Sequence, residues 1–315
     1  MKVCIVGLGL IGGSIGIDLK KADWVNLRLG VDVNEDHARK AVELGLVDAI
    51  ETEGGALTQA DVIILAIPVN ALRALLPQVL DSIKPGAVVI DTGSTKAAIC
   101  KSVSRHEKRH QFVAAHPLAG TEDSGPDAAF EGLFSGKMNI ICEQEKSSPE
   151  ALALAEKVFR ILGMKTIFMD PEEHDKHVAY VSHLSHVSSF LLGQTVLDIE
   201  KDEKNIFNLA SSGLTSTVRL AKSSPDMWAP IFEQNAEYLG QALAEYIMHL
   251  QRFHYQLMKR NTKELYRVLQ EANKIRKVLD MPPLIVGKNI QEENIGNLSI
   301  GNRPTSNPPG HKNES

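Results

Sequence analysis

The stretch "GLGLIG" sets Gly7, Gly9 and Gly12 in the spacing G-x-G-x-x-G, with a strand-like run before it and a helical pattern after it. In that context each glycine has a task. Gly7 permits a tight turn, Gly9 lets a pyrophosphate approach the backbone, and Gly12 lets helix and strand pack closely. The free N–H groups of the first helical turn, at Leu10, Ile11 and Gly12, would then face the phosphates. Asp32 ends the second strand about twenty residues further on, where a carboxylate accepts hydrogen bonds from a ribose and repels a 2′-phosphate. The spacing predicts NAD rather than NADP.

A second constellation is spread along the chain. In "FVAAHPLAGTEDSG" a buried-looking strand delivers His116 at its tip, followed by Glu122 in the loop. In an open α/β sheet ligands sit beyond the carboxyl ends of the strands. Pro68 and Ser94, the latter in "DTGSTK", end two other strands there. A neutral imidazole beside a nicotinamide can take a hydroxyl proton while the neighbouring carbon loses hydride. A hydroxyl such as that of Ser94 could hold the ring's orientation. Lys96 reads equally well as a solvated residue at a helix start. Arg219, among small and hydroxylic residues, suits either a bidentate carboxylate contact or a surface ion pair.

"EEHDKHVAYVSHLSH" carries His174, His177, His183 and His186 and invites a metal site. At about 100° per residue, however, His174 and His183 point to opposite sides of one helix. No pair has the i, i+4 spacing of a zinc-binding helix, so no metal is expected. Asp175, Ser182 and His186 share a polar stripe, apart from an apolar face with Val181, Leu184 and Leu191. A solvated stripe is the expectation.

The elements that must position these residues fall into two sets. Over residues 1–170, near-continuous apolar runs such as "DVIILAIPV", "AVVIDT" and "MNIIC" alternate with helical patterns, and "TIFMD" adds a last strand. This is the signature of a Rossmann-type, doubly wound, mainly parallel α/β sheet. Residues 171–284 read as all-α, with long helices from about 172 to 199 and from about 225 to 279. Residues 285–315 are rich in Asn, Gly, Pro and Ser and are expected to stay disordered. The whole chain has 315 residues, with a formal net charge of -5 and a sequence pI near 6.1. Neither a nucleic-acid nor a membrane partner is expected from that charge. Three scattered cysteines, no apolar run long enough for a membrane span and a strand beginning at Lys2 point to a cytoplasmic protein.

Together "GLGLIGGS", "DTGSTK", "HPLAGTEDSG", "HDKHVAYVSHLSH" and "TSTVRLAKSSPDMW" resemble the prephenate/arogenate dehydrogenase family of tyrosine biosynthesis, from Met1 to about Leu279. The resemblance implies NAD-dependent oxidative decarboxylation of prephenate, with arogenate as the alternative substrate. It assigns His116 as the catalytic histidine and Ser94 as the serine that positions it. Arg219 would hold the substrate's side-chain carboxylate, with His186, His183 and Glu122 lining the pocket. It also implies a homodimer built through the helical domain. Two departures stand out: Ser185 where the family commonly has proline, and Thr215, Ser216 and Thr217 where an acidic residue often precedes the arginine. Two other readings remain open. One is a two-domain dehydrogenase acting on a hydroxyacid or imine, which would typically use a lysine from the helical half. The other is a non-catalytic NAD-binding redox sensor.

Overall fold

The computed structural model describes residues 1–202 and 207–279. The expected disordered tail, residues 285–315, lies outside the described residues. Met1–Lys274 form one compact unit; of a second unit only Ile275–Leu279 is described, with a short helix over Arg276–Leu279.

The described residues form an eight-stranded sheet in the order β3-β2-β1-β4-β5-β6-β7-β8. Its strands are β1 (Lys2–Val6), β2 (Leu27–Val31), β3 (Ala49–Ile50), β4 (Val62–Leu65), β5 (Val88–Asp91), β6 (Phe112–Pro117), β7 (Met138–Cys142) and β8 (Lys165–Met169). The helices α1 (Leu10–Leu19), α2 (Glu35–Glu43), α3 (Glu53–Gln59), α4 (Val69–Ser82), α5 (Ala97–Ser102) and α6 (Pro149–Ile161) alternate with them. Two apolar clusters share out the side chains of successive strand residues. Val3 and Ile5 belong to one cluster, Cys4 and Val6 to the other. Both faces are therefore buried, which is why these strands are apolar throughout instead of alternating.

The first six strands run parallel, but β7 is antiparallel to β6, and β8 runs with β7. Local signals set the helix boundaries. The Asn34 side chain accepts from the Asp36 and His37 N–H groups and starts α2. Ser148 followed by Pro149 starts α6, and Asp170 followed by Pro171 starts α7 (Pro171–Val178), the first helix beyond the sheet.

The single helix expected from 172 to 199 is interrupted. After α7 comes a π-turn over Ala179–His183, and only then α8 (Leu184–Asp202). There follow α9 (Ser212–Thr217), α10 (Pro225–Gln234), α11 (Ala236–Met258) and α12 (Thr262–Ala272). A small third apolar cluster, Val69 from α4 with Trp228 and Ile231 from α10, joins sheet and helices beside the carboxyl rim of β4.

The α7–α8 segment departs from the expected solvated stripe. Of that stripe Asp175 is buried, and Ser182 and His186 are half-buried, whereas from the apolar side Val181 is 73% exposed and Leu191 56% exposed. Asp175 faces the junction with the sheet, where it finds partners, and Val181 and Leu191 are left uncovered by the described residues.

Candidate active site

The glycine turn joins β1 to α1. Gly7 adopts φ +91°, and its N–H donates to the Val31 carbonyl at 2.8 Å. A β-carbon on Gly12 would stand 1.8 Å from the Gly7 carbonyl oxygen, so only glycine lets α1 approach this closely. Gly9 differs, since a β-carbon there would meet only the Gly125 nitrogen, at 3.9 Å. Gly9 caps α1 without any side-chain hydrogen bond, so among the described residues no side chain caps the first-turn N–H groups, which suits a ligand there. Asp32 braces the turn, its Oδ2 accepting from the Leu8 N–H at 2.8 Å and its Oδ1 from the Asn34 N–H at 2.9 Å. An open backbone cradle, uncapped N–H groups and a carboxylate at the second strand's end fit a dinucleotide. Pro68 opens α4 on the same rim and is exposed.

His116 lies near the end of β6, three strands along that rim, and is 8% exposed. Its backbone position is fixed by a buried pair. Lys96 and Asp91 are both fully buried and hydrogen-bonded to each other. Asp91 Oδ1 accepts from the Ala115 N–H at 2.6 Å, and Lys96 Nζ donates to the Ala115 carbonyl at 2.7 Å. The β5–β6 ladder pairs only Val89 with Phe112 and Ile90 with Val113. Beyond it the two side chains take over the backbone groups of the residue before His116. Lys96 is thus a structural cation rather than a solvated one.

The ring of His116 is held from the helical segment. Its Nδ1 lies 2.8 Å from His174 Nε2, and His174 Nδ1 lies 2.7 Å from Asp175 Oδ1. Asp175 also accepts the N–H groups of Lys96 at 2.7 Å and Ala97 at 2.9 Å, the start of α5. The partner of the ring is therefore His174 and not the expected Ser94, whose hydroxyl has no hydrogen bond among the described residues. Asn235 donates from Nδ2 to the Asp175 carbonyl at 2.8 Å and lies 3.0 Å from His183 Nδ1. His186 stacks on Trp228 with ring centroids 3.5 Å apart, while His183 meets the edge of the same indole. The Trp228 Nε1 donor is buried and has no partner among the described residues.

Burial dominates the electrostatics. It holds His116 well below the ordinary histidine value, and the neighbouring His174, Lys96 and His183 push in the same direction. His183 is lowered to about 4 by burial, against the pull of Asp175. In His174 burial outweighs the raising effect of Asp175, and in His186 that of the Ser182 carbonyl. Burial thus favours the neutral form of all four rings. Among the described residues no group of three or more His, Cys, Asp or Glu is arranged to hold a metal ion.

Arg219 begins a 3-10 turn over Arg219–Lys222 and pairs with Glu122 from the loop after β6. Its side chain is half exposed. His116, His183 and His186 come together around Trp228 and His174, and the Glu122–Arg219 pair bridges from the β6 loop to the helices. His174, Asp175, Trp228 and Asn235 escaped the sequence reading as site residues. The one available signal was the pair His174–Asp175 directly after the Asp170–Pro171 helix start, where polar residues on a helix adjoining the sheet can turn inward.

A nucleotide-binding sheet with a buried neutral histidine at a strand tip, completed by a helical segment, defines a two-part dinucleotide-dependent oxidoreductase. The family model "Prephenate dehydrogenase, nucleotide-binding domain" matches residues 15–168, and "Prephenate dehydrogenase, dimerization domain" matches residues 170–271. A prephenate dehydrogenase of Lactococcus lactis is 31% identical over 284 residues, covering 89% of this chain and 78% of the relative. The structure of prephenate dehydrogenase from A. aeolicus in complex with hydroxyphenyl propionate and NAD+ superimposes with a TM-score of 0.81 at 30% identity, covering 89% of this chain and 98% of the other. Synechocystis arogenate dehydrogenase gives 0.70 at 33% identity, over 89% and 100%. The chain belongs to the prephenate dehydrogenase family.

Proposed function

We propose that this protein catalyses the NAD-dependent oxidative decarboxylation of prephenate to 4-hydroxyphenylpyruvate in tyrosine biosynthesis. The observation that carries it is His116, a neutral base buried at the strand tip on the same rim as the glycine turn. Bound NAD supplies the hydride acceptor. Gly7, Gly9, Leu10, Ile11 and Gly12 would hold its pyrophosphate, Asp32 its ribose hydroxyls, and Pro68 would border it. His116 takes the proton of the C4 hydroxyl as hydride leaves C4; loss of CO2 from C1 leaves its bonding pair in the ring, which becomes aromatic, and His116 returns the proton to the phenolate oxygen. Ser94, free of other partners, is available to the substrate hydroxyl or to the ring of His116. Arg219 anchors the side-chain carboxylate by exchanging Glu122 for it, with His183 and His186 lining the pocket. Arogenate is the competing substrate, because the Synechocystis neighbour is an arogenate dehydrogenase.

Residues 1–170 form the nucleotide-binding domain and residues 171–284 the substrate and dimerisation domain of a cytoplasmic homodimer. The uncovered apolar side chains support the dimer: Leu191 and Leu197 on α8, and Ile247, Met248, Leu250 and Leu257 on α11, are all exposed. Such exposed apolar side chains suit an association surface. The match to a dimerization-domain model agrees with it, and no helix of the described residues is long and apolar enough to cross a membrane.

Incubation with prephenate or arogenate and NAD should give NADH and CO2 in equal amounts, with NADP a poor substitute because of Asp32. NADH without CO2 from a hydroxyacid would favour the other dehydrogenase reading. Tight NAD binding with no turnover would favour the sensor.

A further inference from the structure

The hydrogen bonds behind His116 have a direction that can be read from their far end. Asp175 accepts a backbone N–H on each oxygen, from Lys96 on Oδ1 and from Ala97 on Oδ2. The His174 Nδ1 at 2.7 Å from Oδ1 is therefore the protonated nitrogen of its ring. A neutral ring so protonated has only a lone pair at Nε2. His116 Nδ1, 2.8 Å from that lone pair, must be the donor. Its own lone pair then sits on Nε2. A hydrogen bond to one ring nitrogen decides the chemistry of the other.

We infer that His174 and Asp175 are positioning residues that hold His116 in the Nδ1–H tautomer, making Nε2 the atom that receives the substrate proton. This deepens, and rests on, the assignment of His116 as the base of a prephenate dehydrogenase. The proton passes no further than His116 before it returns to the product oxygen, and His174 need not ionise. When His116 gains charge, its Nδ1–H already points along a chain that ends on a carboxylate.

The setting is made across the junction between sheet and helices. Asp175 belongs to α7, its carbonyl is held by Asn235 at the head of α11, and its carboxylate holds the start of α5. Lys96, at that start, grips the carbonyl of Ala115, the residue before His116. Ring and backbone of the base are thus tied to the same carboxylate by two routes, so the base is set only when the helical segment is docked. The ionisable groups facing the ring are Lys96 with Asp91 from the β5 edge, His174 and Asp175 from α7, and His183 from the π-turn.

The test reads the tautomer directly, by long-range proton–nitrogen NMR correlation of histidine side chains in the full chain without ligands. The unaltered protein should show His116 protonated on Nδ1. His174→Leu, which removes the acceptor, should return His116 to the mixture of a free ring and lower kcat for prephenate about 10²-fold. His174→Gln offers an acceptor oxygen in place of Nε2; it should keep the tautomer and stay within about tenfold of the normal rate. KM for NAD should not move in either variant. An Nε2–H signal for His116 in the unaltered protein overturns the inference, whether or not the leucine variant folds. So do leucine and glutamine variants impaired to the same degree with the tautomer unchanged. If the unaltered protein shows the Nδ1–H tautomer but leaves prephenate untouched, the substrate assignment fails and the tautomer assignment stands.

Discussion

The glycine turn and the histidine cluster share one rim of the sheet but are built in opposite ways. The turn is made within a single strand–helix–strand unit, between Lys2 and Asp32, and its working groups are mostly backbone N–H facing open space. The cluster draws on β6, the segment after β5, α7, the π-turn and α10–α11, and its working groups are buried side chains. A site made of local backbone keeps ordinary chemistry and needs only its own turn to be intact. A site made of distant side chains obtains shifted proton affinities from burial, and each member depends on several others.

That contrast can be broken most severely at His116. His116→Asn keeps a polar group of similar reach but cannot take the proton; kcat should fall about 10²–10⁴-fold while NAD affinity, measured by fluorescence titration, stays unchanged. In the unaltered protein kcat/KM should fall with decreasing pH, since protonation removes the base. Because burial lowers His116, that fall should lie below the ordinary histidine value of about 6.5. A limb at or above that value would mean that the base is not in this cluster.

The turn offers a sharper, smaller contrast. Gly12→Ala forces a methyl onto the Gly7 carbonyl and should cost about 1–3 kcal/mol or more of stability, seen as a lower Tm. Gly9→Ala meets only the Gly125 nitrogen, at 3.9 Å, and should cost under about 1 kcal/mol as a cap change, yet weaken NAD binding. Equal effects on Tm would erase the distinction between a packing glycine and a ligand-facing one.

Arg219 stands at the exposed edge of the cluster and should show the mildest effect on kcat. Arg219→Ala should raise KM for prephenate by roughly 10–100-fold, the worth of a charge-assisted hydrogen bond of about 1.5–3 kcal/mol, with kcat little changed. Arg219→Lys should recover part of it, since a point charge cannot copy the planar fork. An unchanged KM would leave Arg219 with Glu122 as its only partner.

The same division explains what could be read from the sequence. Asn34 starts α2 because a cap works within three residues, and the glycine spacing fixes the first turn for the same reason. The apolar strands could be found, but the reversed direction of β7 could not, because "MNIIC" buries equally well either way up. The solvated stripe follows from the segment taken alone: polar residues on one helix face belong in water unless another element supplies partners. Here Lys96, Ala97, His116 and Asn235 supply them. Lys96 itself was ambiguous because its counter-charge, Asp91, comes into range only when the chain turns back after β5. Ser94 lies on the expected rim, but the ring's partner proved to be a residue 58 positions further along the chain from His116.

The π-turn at Ala179–His183 bears on how such a site changes in length as well as in composition. A π-turn winds its backbone bonds to the fifth residue, so it holds more chain than the same rise of α-helix. Losing one codon within the turn would restore regular winding, because five residues of the wide turn sweep nearly the same rotation as four of α-helix. α8 would keep its facing, and His186 its place on Trp228. The extra residue is therefore slack in the chain. This segment can change its length by one and still present the same helix face to the indole.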